Sequence, residues 1–353
     1  MNVVKRIPAE WEDHYSTIIC WPHQKADWPG KFLPIHWVYT EIVKKLKKYE
    51  LVRIIVQSEN YKNKVISYLT RAEISLDNIE FLISESDRGW MRDTSPQFVY
   101  DDAVKKAVSF KFNGWAKYDN WKKDSRIPEI IAKAAEVELV TAVYNGNPVV
   151  LEGGAIDYNG KGCLITTEEC LLDKKIQVRN PGLTRADYDA IFSDTLGINQ
   201  VIWLGKGIAG DDTHGHVDDL CRFVNENTVL LCRETNSKDE NYSILEENFE
   251  RLQGIRLAND SSLNVISIPM PETLRFEGMR LPASYANFYI CNKQVLVPVF
   301  NDPNDRKALN IIQDCFPDRT VSGIYAGDLV WGLGTLHCLT HEEPVSQSNK
   351  ERL

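Results

Sequence analysis

Several things are scarce or missing in this 353-residue chain. No apolar run approaches the roughly 20 residues that cross a bilayer as a helix, which excludes an ordinary helical span. No two cysteines have the CxxC spacing, so the eight cysteines offer neither a dithiol redox motif nor a short-spaced structural zinc site. Positive charge is in deficit: 41 Lys and Arg stand against 50 Asp and Glu, a formal net charge of −9. Such a chain repels polyanions, so nucleic acid is not an expected partner and a cationic small molecule suits the balance. The opening residues, MNVVKRIPAEWEDHYS, turn acidic where a secretion signal would need an apolar core. We expect a cytoplasmic protein with free thiols, most of them buried as small apolar groups, and no membrane or nucleic-acid partner. The reading admits a homo-oligomer.

What is present reads as a sizeable globular core, with 43% hydrophobic and 26% charged residues. Short β-branched apolar runs predict strands: STIICW, LVRIIVQ, AVSFKF, NQVIWLG, TVLLCR, NVISIP and QVLVPVF. Between them LPIHWVYTEIVKKLKKY puts Ile35, Val38, Ile42 and Leu46 on one helical stripe. Further helices are predicted to begin near Ser125, Thr184, Asp239 and Asn304, with a shorter one over 61–69. Five main helices spaced by stretches of strand suggest a unit of a few strands and one helix used about five times, with a funnel at the centre.

Four polar stretches interrupt this pattern where strands end. GDDTHGHVDDLCRFV carries His214, His216, Asp218 and several more aspartates. Read as a strand, spacing two puts His216 and Asp218 on one face with His214. DRGWMRDTSPQF holds Trp90, Arg92 and Asp93; VVLEGGAIDY holds Glu152 before two glycines that let the backbone pass close to another group; WGLGTLHCLTHEEP holds His337 and Cys338. A metal site is the weaker reading, because neither clustered cysteines nor a helical HExxH is present and His337 and Cys338, if on a strand, would point apart. We expect no metal and no organic cofactor. Histidine and carboxylate together with a thiol instead suit acid–base and covalent chemistry.

Taken together, WMRD, LEGGAI…NGKGCLITTEECLL, GHVDDLCRF and GLGTLHCLT resemble, in order and spacing, the agmatine deiminase and peptidylarginine deiminase family. IPAEWEDHYSTIICWPHQKADWPG and LPASYANFYICNKQVLVPVFNDPND extend the resemblance over nearly the whole chain. The resemblance implies an α/β pentein fold, a five-bladed αβ propeller, formed as one catalytic domain over residues 1–353 with 345–353 a frayed tail. It implies Cys338 as nucleophile, His216 as acid and base, Asp93 and Asp218 as guanidinium acceptors, and Glu152 as the group that orients His216. Trp90 would wall the substrate's aliphatic stem, and Arg92 would tie down an internal carboxylate. The implied activity is hydrolytic deimination of agmatine, a step of putrescine and polyamine metabolism. The alternatives are deimination of arginine within proteins, amidino transfer, or guanidinium binding without turnover. Asp211, Asp212, Asp219 and Glu85 are candidates to meet a distal ammonium. Three positions depart from the family pattern: Ser95, His214 and Leu333.

Overall fold

A computed structural model of the chain describes residues 5–346. Its order is strand-rich with helices in between, and three of the longer helices start at side-chain caps. Thr184 and Asp187 form a reciprocal capping box at the start of Arg185–Leu196, which satisfies two otherwise orphan amides. That helix stops at Gly197 in the left-handed region (φ 72°), where a Cβ would lie 2.0 Å from the Lys5 carbonyl oxygen. Ser58 caps Glu59–Arg71 and Asp239 caps Glu240–Leu252 through their side-chain oxygens. Phe32–Leu46 buries the predicted stripe of Ile35, Val38, Ile42 and Leu46.

Among the described residues the strands form five sheets of one repeated topology and two two-stranded hairpins, Val143–Tyr144 with Asn147–Pro148 and Arg275–Phe276 with Met279–Arg280. In each of the five sheets, an antiparallel pair is followed by a parallel strand reached through a helix. The second sheet runs Gln97–Asp101, Val104–Ser109, Glu138–Thr141, with Ile127–Ala134 as the crossover. The third runs Asp157–Tyr158, Cys163–Thr167, Gln200–Leu204. The fourth runs Cys221–Asn225, Thr228–Arg233, Asn264–Pro269. The fifth runs Tyr289–Cys291, Gln294–Val299, Thr320–Tyr325, crossing through Asp305–Cys315. The first joins the two ends of the chain: Thr340–Pro344 pairs antiparallel with His14–Cys20, which pairs parallel with Leu51–Val56, and Ile79–Ile83 adds a further parallel strand.

The short segments that lead into these sheets touch one another in cyclic order. Met91–Thr94 packs on Leu336–Leu339 to one side and on Gly153–Ala155 to the other, and Gly153–Ala155 packs on Val217–Asp219. Asn287, just before the fifth sheet, bonds Asp219 on one side and Cys338 on the other. This is the neighbour order that a five-bladed αβ propeller requires.

Two expectations need correction. Residues 210–219 are not strand: His214 and Gly215 have positive φ (66° and 94°), and a 3₁₀ turn over Val217–Asp219 follows before the strand begins at Cys221. Leu336–Leu339 is likewise a helical turn, which puts His337 and Cys338 on it rather than on a strand. The tail expected to fray from 345 is packed at its start. Val345 and Ser346 are buried, and the Val345 amide donates to the Asp13 carbonyl at 3.0 Å. The rest of that tail lies outside the described residues. Among the described residues no helix is long and apolar enough to cross a membrane.

Candidate active site

The ring of short segments brings Asp93, Glu152, His216, Asp218 and Cys338 to one place, all of them buried. Gly154 reports how tightly they converge. A methyl group placed on it would lie 2.5 Å from His216 Nδ1, 3.0 Å from Asp93 Oδ1 and 3.1 Å from Asp218 Oδ2. Only glycine fits there, and its amide donates to Asp93 Oδ1 at 3.0 Å. The second Asp93 oxygen accepts from the Trp115 indole at 2.8 Å.

His216 lies between two carboxylates, with Nδ1 3.9 Å from Asp93 Oδ1 and Nε2 3.6 Å from Glu152 Oε2. Burial by itself would lower the imidazole's pKa, but the Asp93 charge, the Cys170 thiol and Glu152 outweigh it, and His216 is held well above its usual value. Burial would raise the Glu152 carboxyl; the Arg179 guanidinium, whose Nε lies 3.2 and 3.3 Å from the two oxygens, and His216 bring it down instead to about 2.

Cys338 Sγ lies 3.8 Å from Asp218 Oδ2. Burial, then the charges of Asp218, Asp219 and Asp93, push its thiol well up, so the sulfur is protonated until positive charge arrives. Burial and neighbouring carboxylates push Asp219 up as well, with Asp218 the foremost neighbour. His337 completes the floor, with Nδ1 2.7 Å from Asp218 Oδ2 and Nε2 2.8 Å from Glu10 Oε2. A crowd of buried carboxylates beside a thiol is an environment that favours a planar cation.

A narrow pocket of about 30 Å³ reaches the sulfur, lined by Arg88, Trp90, Asp93, Trp115, Asp212, Thr213, residues 332–334 and Cys338. Trp90 packs against Trp28 with ring centroids 5.6 Å apart. Leu333 is in the left-handed region (φ 66°), a conformation that glycine adopts freely and leucine does not. Arg92 does not face the pocket's cation-binding groups; it pairs with Glu342 at 2.9 Å and Glu10 at 3.4 Å. His214 turns away, with Nε2 2.9 Å from Asp173 Oδ2, so it is not part of this cluster. Of the four distal-amine candidates, Asp212 lines the mouth. Asp211 accepts the Gly215 and His216 amides, Asp219 bonds Asn287, and Glu85 pairs with Lys123 on the surface.

Two residue trios have metal-type donor atoms within 4.8 Å of one another: Glu152–Cys170–His216 and Asp218–Asp219–Cys338. In the first the Arg179 cation already sits on Glu152. The second coincides with the place a guanidinium would take.

Sequence reasoning missed Arg179 and Asn287. Arg179 lies in IQVRNPG, where nothing local separates it from a surface arginine. Asn287 could have been found as a lone amide inside an apolar aromatic run, SYANFYI, since a polar group buried there needs partners.

The fold is that of the α/β pentein-type hydrolases that act on amidines, and the family model for Porphyromonas-type peptidyl-arginine deiminase matches residues 6–344. The chain belongs to that family. Its relatives include the agmatine deiminase of Pseudomonas fluorescens (strain SBW25), 34% identical with 97% of this chain and 96% of the relative covered. The agmatine deiminase of Ectopseudomonas mendocina (strain ymp) is 32% identical, with 97% and 96% covered. Among solved structures, a C. jejuni agmatine deiminase with substrate bound superposes with a TM-score of 0.85 at 27% identity, covering 98% of this chain and 97% of that one. The Enterococcus faecalis agmatine deiminase superposes at 0.86 and 28% identity, with 96% of each chain covered.

Proposed function

We propose that the protein hydrolyses agmatine to N-carbamoylputrescine and ammonia through a covalent intermediate on Cys338. The observation that carries this reading is the convergence of Asp93, His216 and Asp218 around Gly154, with the Cys338 thiol beside Asp218. The near-full-length agmatine deiminase relatives support the choice of substrate.

Asp93 and Asp218 accept the edge N–H groups of the guanidinium and leave one face of its central carbon open to the sulfur. The substrate's charge opposes the carboxylate field that keeps Cys338 protonated, so the thiol releases its proton to solvent as substrate binds, the thiolate attacks, and the sulfur takes a proton back when the product leaves. His216, as an imidazolium, gives its proton to a departing amino group, and ammonia leaves. The carbon remains bound to Cys338 as a thiouronium. Neutral His216 then takes a proton from water as the oxygen attacks the same carbon. The tetrahedral adduct expels the thiolate, its hydroxyl proton passes to solvent, and the ureido product is released. Glu152, fixed by Arg179, orients His216 throughout. No step of this sequence draws on a metal or organic cofactor.

Two features favour agmatine over arginine. Arg88, the cation among the pocket's lining residues, is engaged by the Tyr118 ring at 4.2 Å and by Asp27 at 3.5 Å, and so is not free to clamp an α-carboxylate. Asp212 is the lining carboxylate besides Asp93; it is held by the Tyr118 hydroxyl at 2.6 Å and paired with Lys117, and a distal ammonium would take the place of Lys117 on it. Because all five sheets feed one site, we further propose that the chain acts as a single catalytic domain. The eight free cysteines support a reducing, cytoplasmic setting.

The test is kcat/KM by colorimetric ureido assay for agmatine, free arginine and a blocked arginine peptide. Agmatine should lead by on the order of 100-fold, because that ratio reports differential transition-state binding. Arginine or the peptide matching agmatine would end the assignment while leaving the deiminase chemistry. Cys338→Ala should stay folded and lose essentially all turnover; retention of more than about a few per cent of the rate would sink the covalent route.

A further inference from the structure

Resting on the reading of Cys338 as nucleophile, we propose that Asn287 holds the Cys338 thiolate by donating a side-chain N–H to its sulfur. Asn287 Nδ2 lies 3.2 Å from Cys338 Sγ and 3.0 Å from Asp219 Oδ1. The orientation of its amide is set by the other end. Asn287 Oδ1 accepts from the His337 backbone amide at 3.0 Å, a group that can only donate, and from the Thr335 hydroxyl at 2.7 Å. Flipping the amide would turn two donors on the His337 amide and an acceptor on the Asp219 carboxylate, so the network selects one orientation. The two Nδ2 hydrogens are thereby directed at a carboxylate and at the sulfur. Asn287 and Thr335 are both buried, so water does not compete for these bonds.

The charges around the sulfur explain why this donor matters. Asp218 and Asp219 on their turn and Asp93 on Met91–Thr94 all oppose an anion at Cys338, after burial itself. His216 faces Asp93 and Glu152, with Nδ1 3.9 Å from Asp93 Oδ1 and Nε2 3.6 Å from Glu152 Oε2. His337, on the same turn as Cys338, is pushed below its usual pKa by burial and by Arg222 and Arg92, against Asp218, and both of its ring nitrogens are taken up by carboxylates, Nδ1 by Asp218 and Nε2 by Glu10, so it does not donate to the sulfur. The donors that reach the sulfur are Asn287 Nδ2 and the Thr335 backbone amide. A hydrogen bond to an ionised acceptor is about twice as strong as one to a neutral group, so Asn287 stabilises the thiolate more than the thiol. The same amide also bridges the fifth sheet to the turn that carries the nucleophile.

The experiment measures two things on the full chain: the pH midpoint for iodoacetamide alkylation of Cys338, read by mass spectrometry of its peptide, and kcat and KM for agmatine. Asn287→Asp keeps the acceptor end but turns an oxygen on the sulfur, and Asn287→Ser removes the reach. Both should move the alkylation midpoint up by about one pH unit or more and lower kcat by on the order of 100-fold, with KM within about threefold. Thr335→Val, which frees the far end of the amide, should move the midpoint the same way by less, and Thr335→Ser should restore it. A folded Asn287 variant with an unmoved midpoint, or a loss carried by KM alone, overturns the proposal. Should both Asn287 variants fail to fold, Thr335→Val decides, and an unmoved midpoint there overturns it too. Alkylation needs no turnover, so a wild-type chain inactive on agmatine would defeat the functional reading while this arm still decides on Asn287.

Discussion

Glu152 is fully buried, and its charge stays there because Arg179 and His216 face it. Removing one partner of a buried ion pair leaves an uncompensated charge, which costs about 3–5 kcal/mol. Arg179→Met is therefore expected to destabilise the protein by about that much at neutral pH. The pH dependence follows from the sign of the shift. The Glu152 carboxyl is lowered from 4.5 to about 2, so its contribution is fully present above the unfolded-state value and fades as pH falls toward 2. Denaturant unfolding at pH 7 and pH 3 checks this: the gap between wild type and Arg179→Met should narrow at pH 3, and an unchanged gap would mean that Arg179 acts by packing alone. Five residues of this site, Asp93, Glu152, His216, Asp218 and Cys338, stand in short motifs and were legible in the sequence. Arg179 and Asn287 were not, because each acts through a partner more than 25 residues away and neither sits beside a histidine or cysteine motif that would mark it.

At the scale of single elements, the helices were more legible than the segments that carry the chemistry. Helix starts are written locally, as at Thr184 with Asp187, where one side chain and one amide satisfy each other. The stretch containing His214 and His216 looked extended because its polar residues recur at spacing two. It is bent instead: Gly215 at φ 94° has no room for a side chain, a Cβ there lying 2.9 Å from the Glu169 Cβ and 3.0 Å from the Thr167 hydroxyl. The bend sends His214 outward to Asp173 while His216 turns in. The Gly153–Ala155 turn is tighter still. Gly154→Ala should force His216 away from a methyl that would otherwise sit 2.5 Å from its Nδ1. On the proposed route His216 lines up with the leaving group, so kcat should fall on the order of 100-fold or more, as sub-ångström to ångström misplacement does. Circular dichroism and steady-state kinetics check this, and a folded Gly154→Ala enzyme with kcat within about threefold of wild type would show the contact to be soft.

Across the whole molecule, the count of five strand–helix units was readable from helix spacing, but the closure of the first sheet was not. Its edge strand is Thr340–Pro344, more than 300 residues from its partner His14–Cys20, and THEEP stands in a polar stretch without the β-branched apolar run that marks the other strands. It is buried because each charge has a partner in another part of the ring. Glu342 meets Arg92 at 2.9 Å. Glu343 accepts from Lys105 Nζ at 2.6 Å, from Ser16 at 2.7 Å and from Arg53, and so ties the returning strand to the first and second sheets. Arg53 and Lys105 are themselves buried, and burial followed by the Arg53 charge already holds the Lys105 ammonium below its usual value while Glu343 opposes that. Glu343→Gln keeps the shape and removes the charge, leaving two buried cations to face each other. The expected cost is about 3–5 kcal/mol, the range for breaking a buried pair from one side. Lys105→Met in the same background removes one of the stranded cations and should recover part of the loss, because residues sharing one charge network do not act additively. Chemical denaturation of the two single variants and the double variant measures the coupling; additive losses would mean that the ring is closed by strand pairing and not by this charge cluster.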